Sequence, residues 1–430
     1  MKATCAVLLA LAIIALPVEA PAYSVLTHEE LIDLAWDDSI RPLLLSRYPG
    51  MSQAALVEAH AYAYGGSAIQ DMGYYPFGKQ FFSNLTHYVR SGDFIVSLFR
   101  HAHNPNELAF AVGALSHYLG DNIGHSECIN PATAVEFPRL ARKYGEFVTY
   151  DESPHGHVRT EFAFDIDQLS HHRLAPAAYQ QHIGLEVPTV QVESAFYETY
   201  GLHLSEVLGP VFPASRSYQW SVRRFIPRIA HAETVLHKDF PPDATDQAFQ
   251  TFASEVQDAD FQEHWAAERK RPGIVTHFLA IVILILPKVG TLSDAAIRGP
   301  NQQTEQWYVK SVDDTMAEFR DVLRELREHP DVPVVLPNRD LDTGELVRPG
   351  AYPLTDETYA TLLHRITAVP DRKVVFGIRR DLLAFYSNPN APIVTKKHHK
   401  AWTRVQEELA TLHEMPLRTT EEPGLVASAH

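Results

Sequence analysis

Gly113-Ala-Leu-Ser-His117-Tyr-Leu-Gly-Asp121-Asn-Ile-Gly-His125 is the stretch on which the fold turns. It carries two imidazoles and a carboxylate, each four residues after the last. On an α-helix four residues advance about 400°, so each donor lies only about 40° round from its predecessor and about 6 Å further along the axis. The residues before it, Leu108 to Leu115, are apolar helix formers. The spacing therefore predicts a buried helix with three polar donors on one stripe. Such donors must be paired with one another or hold something between them, because burying them unsatisfied is costly. The two readings are a set of hydrogen-bonded core residues and a metal site, and imidazole with carboxylate is a common zinc donor set.

Donors of the same kind are spread along the chain on either side. Upstream, Thr27-His28-Glu-Glu30 has the capping-box spacing, which makes Thr27 the expected N-cap and His28 the first helical residue. Asp71 sits in a loop-rich segment with glycines, Pro76 and aromatics, and His87 follows at the end of Phe82-Ser-Asn-Leu-Thr. Downstream, Asn130-Pro131 is expected to stop the helix. His157 and Glu161, again four apart, form a second helical two-donor clip. His155, His171 and His172 read as solvated, and Cys128 as a small buried hydrophobe.

Composition narrows the class. The chain has 430 residues, 45% hydrophobic and 21% charged, which is ordinary for a globular protein. A formal net charge of −16 argues against a general binder of nucleic-acid backbones. The N-terminus reads as a secretory signal: Lys2, an apolar run from Val7 to Leu16, then Pro17 and small residues. Cleavage after Ala22 fits the small-x-small rule and frees Tyr23; cleavage after Ala20 would leave Pro21 first. The mature chain keeps one cysteine, so no internal disulfide is expected.

Further along, residues 176–270 are rich in helix formers and prolines. Phe278 to Pro287 is an apolar run too short to span a bilayer and reads as a core helix. A break at Gly299-Pro300 precedes a long amphipathic helix, Trp307 to Glu328, and a proline-rich loop. Asp342-Thr-Gly-Glu reads as a polar connector. Two helices follow near 355–368 and 399–414, and residues 416–430 read as a disordered tail. Little of the chain alternates with period two, so the fold class is all-α. The expected division is a signal at 1–22, a helical domain at 23–298 and a mainly helical C-terminal region at 299–415.

The ordered series Tyr23, His28, Asp71, His87, His117, Asp121, His125, His157, Glu161 resembles the zinc-dependent phospholipase C family and its relatives, the S1/P1-type nucleases. The resemblance implies a helical bundle holding up to three zinc ions. Asp71, His87, His117 and Asp121 would bind the first, and His125, His157 and Glu161 the second. The amine and carbonyl of Tyr23, with His28 and Asp121, would bind the third. The chain departs from the family in having Tyr rather than Trp at the mature N-terminus, and in placing His125 four rather than six residues after Asp121, which leaves His155 as an alternative donor. The implied activity is phosphodiester hydrolysis by a metal-bridging hydroxide, with Asp71 orienting or deprotonating the water. A phospholipase C needs an apolar approach for acyl chains, for which Tyr74, Tyr75, Phe77, Phe81 and Phe82 are candidates against ordinary core packing. Its partners would be a phospholipid or other phosphodiester and, transiently, a membrane surface, with no transmembrane span in the mature chain. The alternatives are a single-strand nuclease of the S1/P1 type, the one reading with a nucleic-acid partner, and a non-catalytic secreted protein stabilised by zinc. The expected location is secreted or periplasmic.

Overall fold

A computed structural model describes residues 25–74, 78–170, 185–208 and 299–418. Tyr23, the signal segment, Tyr75 to Phe77, His171, His172 and the apolar run at 278–287 lie outside them. Within them the chain is helical, with isolated bridges at Arg339–Leu346 and Val374–Leu417 and no strand.

The sequence that opens the reading becomes α6 (Pro105–Gly124), the central helix. Asn104 caps it by accepting from Glu107 N, and Pro105 takes the first helical position, where its missing N–H costs nothing. From Ala109 to Asn122 every residue of α6 is buried. Its closest neighbour is α3 (Gln53–Ser67). The two backbones almost touch: a Cβ on Gly113 would lie 1.9 Å from Ala63 O, and one on Gly66 would lie 2.0 Å from Phe110 O. Only glycine allows that approach. It lets Gln70 Nε2 donate to Ala114 O at 3.0 Å and brings Ser67 O alongside His117.

Around this pair stand α1 (Val25–Ala35), α2 (Arg41–Arg47), α4 (Gln80–Tyr88) and α5 (Ser91–Arg100). α7 (Asn130–Glu136), α8 (Pro138–Tyr144), α9 (Pro154–Ser170), α10 (Thr189–Tyr200) and α11 (Leu204–Val207) follow. The C-terminal part adds α12 (Gln302–Glu328), α13 (Pro353–Thr367), α14 (Phe376–Phe385) and α15 (His399–Glu414). α12 packs on α6 and α13 on α4. One hydrophobic core joins Leu31, Phe110 and Phe196 to Tyr308, Phe319, Leu341 and Leu363, so residues 299–418 share a core with residues 25–208.

Several local expectations are corrected. Thr27 is inside α1, not its cap; its Oγ1 donates to Asp165 Oδ1 at 2.6 Å and lies 2.8 Å from Tyr308 OH. Asp165 of α9 accepts from Leu26 N at 2.9 Å, so a distant carboxylate satisfies donors in the first turn of α1. Asn130-Pro131 does not end the helical path. α6 widens into a π turn, His125–Ile129, and Pro131 then occupies the first turn of α7. α14 was not anticipated. Residues 416–418, read as tail, are tied down by Val374 N donating to Pro416 O at 2.8 Å and Arg418 N to Val374 O at 3.0 Å.

Candidate metal centre

His28 from α1, Asp71 from a 3-10 turn (Gln70–Gly73), His87 from the end of α4, and His117 and Asp121 from α6 converge on one point. None of the five is more than 3% exposed. His117 Nε2 is 3.0 Å from Asp121 Oδ2 and 3.6 Å from Asp71 Oδ1. His87 Nε2 is 3.3 Å from both Asp71 Oδ1 and Asp121 Oδ2. His28 Nε2 is 3.2 Å from Asp121 Oδ1, and its ring stacks on His117 at 4.0 Å.

The spacing argues for an ion between these groups. Two donors on one tetrahedral zinc, each about 2.0–2.1 Å from it, stand roughly 3.3–3.4 Å apart. A charge-assisted N–H···O bond would be shorter, about 2.7–2.9 Å. Among the described residues, His87 Nε2, His117 Nε2, Asp71 Oδ1 and both Asp121 oxygens make no hydrogen bond. The outer nitrogens, by contrast, are held: His87 Nδ1 lies 2.7 Å from Ser83 O, and His117 Nδ1 lies 2.8 Å from Ser67 O. Each Nδ1–H therefore donates to a carbonyl, which leaves Nε2 as the nitrogen that faces the carboxylates. Outer partners of this kind fix the tautomer of metal-ligating histidines.

The electrostatics agree. Burial opposes charge on His87, but the Asp121 and Asp71 carboxylates outweigh it and push the imidazole up to about 10. Burial likewise opposes charge on Asp121, yet His117, His28 and His87 hold it well below the usual carboxylate range. Without a metal, protons on histidine balance the two carboxylates. A divalent cation supplies the same charge and would displace those protons.

A second cluster lies further along α6 and on α9. His125 and His157 stack at 4.8 Å and are buried. His157 Nδ1 is 2.7 Å from Glu161 Oε1, and its Nε2 is 2.8 Å from Asn130 Oδ1. Asn130 is oriented by its Nδ2, which donates to Asp342 O at 2.8 Å, so its Oδ1 must accept from His157 Nε2–H. The lone pair of His157 thus sits on Nδ1, facing Glu161. Neither nitrogen of His125 makes a hydrogen bond, although Asp342 Oδ1 stands 2.8 Å from its Nδ1. Burial drives both imidazoles down to about 3, so they stay neutral, as ligands must. Burial, and next the Asp121 and Asp71 charges, raise Glu161.

Among the described residues three buried groups have donor atoms close enough to hold a metal: His28, His117, Asp121; Asp71, His87, His117; and His125, His157, Asp342. The residues picked from sequence thus gather in two adjoining clusters, apart from Tyr23, which is outside the described residues. His117 and Asp121 face one cluster while His125, at the start of the π turn, faces the next. His155 is exposed and leaves the donor list. Asp342 was missed. It is 2% exposed, not part of a surface connector, and the only signal was the unexplained density of acids in Asp340-Leu-Asp342.

Buried aromatic rings pack beside the donors. Tyr74 lies 5.5 Å from His87 and 6.1 Å from Tyr150, which is 5.9 Å from His157. Of the other aromatics, Phe82 is a core residue stacked on Phe196, and Phe81 lies under the Arg365 guanidinium. Neither touches the clusters. No helix among the described residues is long and apolar enough to cross a membrane.

Compared with known families, residues 27–209 match the model described as zinc dependent phospholipase C. No curated protein and no solved structure matches the chain. The matched segment holds His28, Asp71, His87, His117, Asp121, His125, His157 and Glu161, so residues 27–209 are similar to the zinc-dependent phospholipase C family over the stretch that carries these donors.

Proposed function

We propose that this chain is an exported, zinc-dependent phosphodiester hydrolase of the phospholipase C type, acting on phospholipids at a membrane surface. The observation that carries it is the first cluster: two imidazoles whose outer nitrogens are pinned to carbonyls and whose inner nitrogens meet Asp71 and Asp121 at 3.0–3.6 Å without hydrogen bonds. Asp71, His87, His117 and Asp121 would hold one zinc. His125, His157 and Glu161 would hold another. His28 and Asp121, with the main-chain amine and carbonyl of Tyr23, would hold a third.

Bound zinc supplies two things to such a reaction: positive charge against the phosphate, and a lowered pKa for water. The protein supplies the rest. Asp71 would orient the attacking water and take its proton. Ser83 O and Ser67 O keep His87 and His117 in the one tautomer that leaves Nε2 free to ligate. The buried rings of Tyr74 and Tyr150 pack beside the site and would keep bulk water from it. The acidic balance of the chain favours a phospholipid over a nucleic-acid backbone.

The experiment is to purify the exported chain, count zinc by elemental analysis, and measure turnover of phosphatidylcholine against single-stranded DNA. Zinc together with lipid turnover is the expected result. Turnover of DNA alone would make the chain a nuclease, and zinc with neither activity would make the metals structural.

A further inference from the structure

We propose that Asp342, carried in from the C-terminal part, is a fourth protein donor at the His125/His157/Glu161 position, and that the segment Arg339–Leu346 thereby closes that position. The inference rests on the metal-binding reading above and adds to it a ligand from outside the matched family segment.

The buried His125 ring has no hydrogen bond on either nitrogen, while Asp342 Oδ1 stands 2.8 Å from Nδ1 in a direction that makes none. A buried imidazole with no hydrogen bond on either nitrogen, beside a carboxylate, is a donor pair that a shared cation would satisfy. His157 presents the same problem one step away, its Nδ1 lone pair facing Glu161 Oε1 at 2.7 Å. Donor atoms of His125, His157 and Asp342 lie within 4.8 Å of one another, close enough to share one ion.

The segment is built to deliver this carboxylate. Asp340 Oδ1 accepts from Asp342 N at 3.1 Å and Thr343 N at 3.2 Å, which folds the turn. Thr355 Oγ1 holds the other Asp340 oxygen at 2.7 Å. Leu341 N donates to His87 O at 3.1 Å, fastening the turn to the helix that carries a first-cluster histidine. Gly344 has φ +72°, and a Cβ there would lie 2.5 Å from Asn122 O, so the turn sits against α6 as only glycine permits. Asp342 itself is aimed by Tyr150 N at 3.1 Å and by the Tyr352 hydroxyl. His125, His157 and Asp342 form the donor group, and with Glu161 drawn in from beside His157 Nδ1 a tetrahedral zinc would have protein donors only and no open place for substrate. The chemistry would then fall to the first cluster, with the second position locking the C-terminal part onto the metal centre.

The test uses the full exported chain, stripped with chelator and titrated with Zn²⁺ against a chromophoric competitor, then reloaded with Co²⁺ for its visible spectrum. Asp342→Asn keeps the shape and most hydrogen bonds but loses the charge. It should weaken one ion by about tenfold or more, leave the others within about twofold, and alter the spectrum of one cobalt. Tyr352→Phe loosens the aim without touching the charge and should keep that ion; Asp342→Glu should restore part of the affinity. If Asp342→Asn holds every ion as wild type does, or Tyr352→Phe loses the ion as badly, the carboxylate is merely structural and the inference is overturned alone. A wild-type chain that takes up no zinc would overturn it together with the functional reading.

Discussion

The two donor clusters sit side by side along α6 and the π turn that follows it, yet they are assembled by different rules. The first is closed by residues 28–121, which lie on neighbouring helices, and its histidines are oriented by main-chain carbonyls of those helices. The second draws on α6, α9 and a turn from the last quarter of the chain, and its histidine is oriented by a side-chain amide. Their charge states differ as well. The first holds a protonated His87 between carboxylates, whereas burial keeps His125 and His157 neutral. Helical spacing and a fixed carbonyl make a site that local sequence encodes. A site completed from afar depends on the rest of the fold.

The sharpest break of that contrast is His117→Ala. It removes the residue common to two donor groups, so turnover should fall by more than about 100-fold and at least one zinc should be lost, given that mere outer-partner changes cost 10–100-fold. Unchanged zinc content would remove α6 from the metal site. Next in size, Asn130→Ala frees the tautomer of His157 and should weaken one ion by about 10–100-fold while sparing the first cluster. Chelator competition reads this directly, and equal loss at every ion would show that the clusters are not separable.

Gly113→Ala probes the scaffold. A Cβ 1.9 Å from Ala63 O must push α3 away from α6, costing about 1–3 kcal/mol in thermal unfolding, and should loosen zinc at the first cluster as Ser67 O leaves His117. A variant with wild-type melting would mean the helices have room to spare.

The smallest effects are the opposite pH slopes of the metal-free protein. His87 is raised from 6.5 to about 10, so its stabilisation is full below pH 6.5 and fades as pH climbs to 10. The penalty of the metal-free His87→Gln variant against wild type should therefore be largest at acid pH. His125 is lowered from 6.5 to about 3; the unfolded chain binds the proton more readily, and stability is lost as pH falls from 6.5 toward 3. Metal-free His125→Gln should gain on wild type over that range. Melting temperatures of chelator-treated proteins against pH would show it, and parallel slopes would contradict the assignment of charge.

The same contrast explains what could be read in advance. The all-α fold, the course of α6 and the His117–Asp121 and His157–Glu161 pairs follow from four-residue spacing, which a helix turns into proximity. His28, Asp71 and His87 have no such spacing to the stripe; a family pattern linked them, and close packing of α3 on α6 brings the stripe to Asp71. Asp342 had neither signal. In sequence, Asp340-Leu-Asp-Thr-Gly is the composition of any exposed turn, and only the fold buries it. Thr27 misled because a side chain 138 positions away does the capping expected of it. The π turn at His125 was hidden because Pro131 looks like a stop signal whether it ends a helix or begins one.

Asn130 and the Asp342 main chain meet across a separation of 212 residues. During synthesis, the five described donors of the first cluster, His28 to Asp121, have been made before the ribosome is a third of the way along. The second cluster must wait for the final quarter and for closure of a long loop, an entropic step that slows non-local folding. Under the proposed ligation metal uptake should therefore be staged, and a translation product or protease fragment ending before residue 339 would keep every described donor of the first cluster and lack Asp342 at the second.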